Sequence, residues 1–166
     1  ETLDPDAAVG EIAFAEILGQ PLPVFSEPDA AQGQTVPTIS AQTFTGERLQ
    51  IGNDGTARLI GFFAHWCPHC QDEVPVVVDW LATDPRPAGV EVVGVSTAVD
   101  AGAPNDPPSE WFAREAWPID TAPLVLDDAD GTLASGYGLS GYPFWVAVGD
   151  DGTVVARASG ELGAAQ

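Results

Sequence analysis

A chain of 166 residues has room for one domain with a sizeable core. Its 25 acidic residues face only 5 basic ones, all arginine (Arg48, Arg58, Arg86, Arg114, Arg157), for a formal net charge of −20. Such a surface repels phosphate backbones and anionic headgroups, which argues against nucleic acid or an anionic membrane as a partner. Solubility or adaptation to salt or genome composition accounts for the acidity, with an acidic docking face as the alternative. No stretch approaches the roughly 20 apolar residues a bilayer span needs. The chain opens at Glu1 rather than Met, so a processed or a trimmed form is expected, with an anchoring segment absent from this chain.

In chain order, Glu1 to Ala8 is acidic and unpatterned, and residues 1–17 read as an extension or tether remnant. Within it, Ile12, Ala13, Ile17 and Leu18 allow a short helix from Val9 to Leu18, broken by Gly19-Gln20-Pro21-Leu22-Pro23. Ser26 to Gln34 is a loop. Thr38 to Phe44 and Glu47 to Ile51 flank Thr45-Gly46 as a hairpin. The run from Thr56 to Ala64 is apolar enough for a buried central strand, and Cys67 to Ala82 reads as a helix with Pro75 inside it. Asp84-Pro85-Arg86-Pro87 closes that unit. Val90 to Ser96 is β-branched on both faces, as in a buried parallel strand, giving a right-handed βαβ unit. After a proline-rich loop, Ser109 is placed to cap a helix through Trp111, Phe112 and Ala116. Leu124 to Leu126 is a brief strand, Thr132 to Tyr137 a turn or two of helix, and Pro143 to Val148 a strand. Gly149-Asp150-Asp151-Gly152 turns that strand into Thr153 to Arg157, the strongest hairpin signal in the chain. Residues 18–160 therefore read as one domain, followed by a tail at 161–166.

The chemistry concentrates in Trp66-Cys67-Pro68-His69-Cys70, which holds both cysteines. A Cys-x-x-Cys where a strand gives way to a helix puts the first thiol among free backbone N–H groups, where a thiolate is favoured. The second thiol, one turn on, can attack a mixed disulfide and release the substrate. A plain disulfide staple is the weaker reading, because so short a loop gives little entropic stabilisation. The lack of a third cysteine suits an oxidising compartment.

With Pro75, with Gly141-Tyr142-Pro143 before a strand, and with the closing hairpin at Asp150-Asp151-Gly152-Thr153, the motif resembles the TlpA/ResA-like extracytoplasmic thiol-disulfide oxidoreductases. The resemblance implies an α/β, thioredoxin-like three-layer fold: a central mixed β-sheet, an N-terminal β-hairpin, and an inserted helix and strand between Asp100 and Leu126. It implies catalysis by Cys67 as nucleophile and Cys70 as resolving thiol, with no cofactor. It also implies a cis peptide at Pro143, facing Cys67, with the Tyr142 backbone free to pair with substrate. Three features stand apart from the pattern. Gly61 occupies the strand position where thioredoxin keeps a buried acid, Glu73 stands where the TlpA/ResA-like group often carries one, and bulky Tyr142 precedes the proline. Glu73 is thus the expected proton acceptor, with a solvated helix carboxylate as its alternative. Tyr142 implies a narrowed substrate groove.

His69 is expected to tune the Cys67 thiolate, and Pro68-His69 resembles the dipeptide of the oxidant DsbA. Trp66 is expected beside the site, and His65 at the surface. Trp80, Trp111, Trp117 and Trp145 read as core or interface aromatics. The expected partners are cysteine-containing proteins and a membrane or thioredoxin-type redox partner, met outside the cytoplasm by a monomer. The alternative function is a copper or zinc carrier using Cys67, Cys70, His69 and His65, although zinc sites want four ligands aimed inward. A peroxiredoxin-type peroxidase is disfavoured by Ala64 three residues before Cys67. The direction of electron flow stays open, since Pro68-His69 leans to oxidation and the resemblance to reduction.

Overall fold

Residues 11–83 and 88–162 are described by the computed structural model. Eight strands and three helices follow one another along them: β1 (Glu16–Leu18), β2 (Thr38–Gln42), β3 (Arg48–Ile51), β4 (Ala57–Phe63), α1 (Pro68–Thr83), β5 (Val90–Ser96), α2 (Pro108–Arg114), β6 (Leu124–Leu126), α3 (Thr132–Gly136), β7 (Phe144–Val148) and β8 (Val154–Ser159). The main sheet runs β6-β5-β4-β7-β8. Strands β6, β5 and β4 are parallel, while β7 and β8 are antiparallel to their neighbours. This is the mixed central sheet of the thioredoxin-like fold. The expected turns after residue 83 and the unpatterned start at residues 1–8 lie outside the described residues.

Alternation along β4 divides the core into two layers. Ile60 and Phe62 face one side, together with Val93, Val95, Phe144, Tyr137 and the small sheet. Phe63 faces the other, with Val92, Trp145, Trp111, Trp117 and the inner face of α1. That face is Cys70, Glu73, Val74, Val77 and Leu81, the stripe a 3.6-residue repeat produces. Proline 75 sits within α1, which continues through it although Pro75 donates no hydrogen bond to Gln71.

The N-terminal hairpin forms as expected, with Gly46 supplying a positive φ of 88° in its turn. It belongs to a three-stranded sheet, β1-β2-β3. The helix expected up to Leu18 is not there: Glu16, Ile17 and Leu18 pair with Ser40, Ile39 and Thr38. Phe14 is 65% exposed and Ile12 44%, so the apolar positions do not share a buried face. Pairing with a distant strand has overridden a weak local periodicity. Nor does Ser109 cap α2. Pro107 occupies the cap position, and Ser109 lies inside the helix, where its N–H (3.0 Å) and its hydroxyl both donate to the carboxylate of Glu11.

Candidate active site

Strand β4 ends at Phe63, and the four residues that follow carry the chain into α1. Cys67 N–H donates to the Ala64 carbonyl (3.1 Å), and the Cys67 carbonyl accepts the first bond of the helix from Gln71 N–H (3.0 Å). Cys67 therefore stands at the cap, with Pro68 at the first helical position, where the missing N–H costs nothing. Both cysteines are free thiols. Cys67 is 8% exposed and Cys70 fully buried, so of the two residues only Cys67 retains any access to solvent. Burial pushes the Cys70 thiol well above the ordinary range, and the N–H of Ala64, 3.4 Å from its sulfur, only partly offsets this.

The Tyr142–Pro143 peptide is cis. It sets the Tyr142 carbonyl 3.7 Å from the Cys67 sulfur, close enough for a weak S–H donor. The Tyr142 ring meets Trp66 edge to face, with centroids 6.0 Å apart, and these two aromatics flank Cys67. Burial raises the Tyr142 phenol, and the nearby Asp127 and cysteines add to the effect.

Glu73, expected either as a proton acceptor or as a solvated carboxylate, is only 2% exposed, which removes the solvated alternative. Its Oε2 accepts from Trp145 Nε1 (3.2 Å) and from the backbone N–H of Leu162 (2.5 Å). Gly61 explains the place of Trp145. The two residues are register partners on β4 and β7, and a Cβ on residue 61 would fall 2.7 Å from the indole ring. The strand position that lacks an acid thus makes room for the indole that holds the helix acid.

His65 corrects its surface expectation. It is 1% exposed, its Nδ1 lies 2.8 Å from the Pro104 carbonyl, and its Nε2 accepts the N–H of Asp100 (3.0 Å). Trp66 Nε1 donates to the Ala98 carbonyl (2.7 Å). The two residues ahead of Cys67 therefore bind the 98–105 loop to the site. His69 points the other way: it is 67% exposed and pairs with Glu161 at 2.8 Å. The metal-carrier donor set is not assembled, since both His65 nitrogens are engaged with the loop backbone and His69 faces solvent. Among the described residues no three His, Cys, Asp or Glu side chains gather in a metal-holding group. Sequence reasoning missed the roles of Trp145, of the 98–105 loop and of Leu162. Only Trp145 left a trace, as the bulky residue opposite a strand glycine.

A thioredoxin-like sheet presenting a Cys-x-x-Cys at a strand-to-helix junction opposite a cis-proline defines the class of thioredoxin-fold thiol-disulfide oxidoreductases. Within that fold the chain belongs to the Redoxin family, whose match covers residues 17–164. It is 30% identical over 119 residues to the soluble secreted antigen MPT53 of Mycobacterium tuberculosis, a match covering 72% of this chain and 60% of that protein's length. The fold is shared with StoA from Bacillus subtilis (TM-score 0.64, 23% identity, 78% of this chain and 92% of that one). It is also shared with a secreted M. tuberculosis disulfide oxidoreductase homologous to E. coli DsbE (TM-score 0.61, 22% identity, 76% and 88%).

Proposed function

We propose that this protein exchanges disulfides with cysteine-bearing protein substrates outside the cytoplasm. The observation that carries the reading is the pairing of a reachable Cys67 with a buried Cys70 at the head of α1, facing the Tyr142 carbonyl. In the reducing direction the Cys67 thiolate attacks a substrate disulfide. A Cys67–substrate bond forms, the substrate S–S bond breaks, and one substrate sulfur leaves as thiolate. Cys70 then gives up its proton and attacks the Cys67 sulfur, forming the Cys67–Cys70 disulfide and releasing the second substrate thiolate. Two electrons pass to the substrate. The reverse sequence oxidises it.

Glu73 is the proposed acceptor of the Cys70 proton, because a buried thiol held in its neutral form needs a base before it can attack. Trp66 and Tyr142 form the walls of the substrate groove, and the main chain at Tyr142 pairs with the substrate. His69 tunes Cys67 from the solvent side. A membrane or thioredoxin-type partner resets the pair. Location outside the cytoplasm is supported by relatives described as secreted or, in Streptococcus pneumoniae, as an exposed lipoprotein. No helix among the described residues is long and apolar enough to cross a membrane.

Trapping tests this reading. With Cys70→Ser, incubation with insulin as the disulfide probe accumulates a Cys67-linked mixed disulfide that dithiothreitol reverses. With Cys67→Ser, none forms. Equal adduct yields from the two variants would overturn the assignment of roles.

A further inference from the structure

After β8 the chain turns at Gly160, and three consecutive residues reach three different parts of the redox site. Gly160 N–H donates to the carbonyl of Pro143 (2.8 Å). The Glu161 carboxylate lies 2.8 Å from Nδ1 of His69, between the two cysteines. The backbone N–H of Leu162 donates to Oε2 of Glu73, and its side chain packs on the core cluster that contains Cys67 and Cys70. Nothing in the residue types of this segment announces such a role, since two of the three contacts are made by backbone N–H groups.

We propose that residues 160–162 form a strap that completes the redox site, orienting Glu73 and holding the disulfide toward the reducing side. The proposal rests on the thiol-disulfide reading above. Its physical basis has two parts. When protonated, His69, two residues after Cys67 in the chain, would favour the thiolate, hence the reduced dithiol and a more oxidising disulfide. A carboxylate in contact with that imidazole offsets its field at the sulfur. The Glu73 carboxylate, meanwhile, is fixed by two N–H donors on one oxygen, the Trp145 indole and the Leu162 amide. Side-chain substitution at residue 162 leaves that amide in place; only proline removes it. Glu161 and Leu162 are therefore positioning residues that act through His69 and Glu73.

The test is a double-mutant cycle read by the glutathione equilibrium constant of the Cys67–Cys70 pair. Glu161→Gln is expected to shift the equilibrium toward the reduced dithiol by roughly two- to fivefold, the range of a partly exposed ion pair. The shift should shrink at high salt and vanish in a His69→Asn background. A second readout follows resolution of a mixed disulfide by rapid quench, with Leu162→Pro expected to be about tenfold slower than Leu162→Ala. An unchanged equilibrium in Glu161→Gln, or the same shift with and without His69, would overturn the tuning role. Equal rates for the two Leu162 variants would overturn the orienting role. Failure of the unmodified protein to form any reversible disulfide would instead sink the oxidoreductase reading itself.

Discussion

The two sulfurs of one motif are separated in chemistry by one turn of helix. Cys67 lies at the cap of α1, near solvent; Cys70 lies on the buried stripe of the same helix, with its thiol raised by burial. A raised thiol binds its proton through the ordinary thiol range and releases it only in more alkaline solution. In a Cys67→Ser variant, iodoacetamide should therefore leave Cys70 unmodified at neutral pH, with labelling beginning only on the alkaline side of a free cysteine; mass spectrometry across a pH series reads this. Half-labelling near the pH of a free thiol would contradict the burial argument. Gly61 works at the same scale by being absent as a side chain. Gly61→Ala drives a methyl into the Trp145 and Phe63 rings, an overpacking cost of about 1–3 kcal/mol by urea unfolding. Because Trp145 also holds Glu73, resolution by Cys70 should slow alongside the loss of stability.

At the scale of elements, local patterns were legible in the sequence and distant pairings were not. The β4–α1–β5 unit and the two hairpins stand out because apolar runs and turn residues lie side by side in the chain. The Cys67–Cys70 site is legible for the same reason, being one contiguous motif. Strand β1 was not: its three residues gain their structure from β2, some twenty positions on, and in isolation they satisfy a helical spacing. His65 was misread because its burial depends on the Pro104 carbonyl and the Asp100 N–H, supplied by a loop whose conformation the sequence leaves open. Ser109 has a capping side chain, yet the element begins one residue earlier at Pro108, and Glu11 supplies the carboxylate instead. Another buried acid, Asp127, organises an element in the same manner. It accepts the N–H groups of Leu133 and Ala134 and the hydroxyl of Thr97, so the short α3 is tied to the end of β5.

At the scale of the whole molecule, two of the five arginines lie in the interior, while Arg48 and Arg114 are exposed. Arg58 and Arg157 are 7% and 5% exposed. Arg58 joins Asp54 (2.8 Å) and Glu91 (2.9 Å), holding the Asp54 carboxyl down at about 2. Arg157 reaches Asp29 and the carbonyls of Pro23 and Tyr137, and lies over the Phe25 ring, so it fastens the 23–29 segment to the core layer of Phe62, Tyr137 and Phe144. Arg157→Ala removes the counter-ion of a partly buried Asp29 and the donors to the Pro23 and Tyr137 carbonyls, and should cost about 1–3 kcal/mol in urea unfolding; a loss below about 0.5 kcal/mol would show the network to be dispensable. The molecule that results is a rigid sheet with one reachable sulfur, a buried resolving thiol beside a buried carboxylate, and a C-terminal segment laid across them. The most direct test of that account is the reduction potential of the Cys67–Cys70 pair, read in a glutathione series by tryptophan fluorescence. The account predicts a reversible two-electron couple lying between the potential of DsbA, about −120 mV, and that of thioredoxin, about −270 mV, with His69 drawing it toward the first and Glu161 back toward the second. A pair that forms no reversible disulfide anywhere in the series would contradict it.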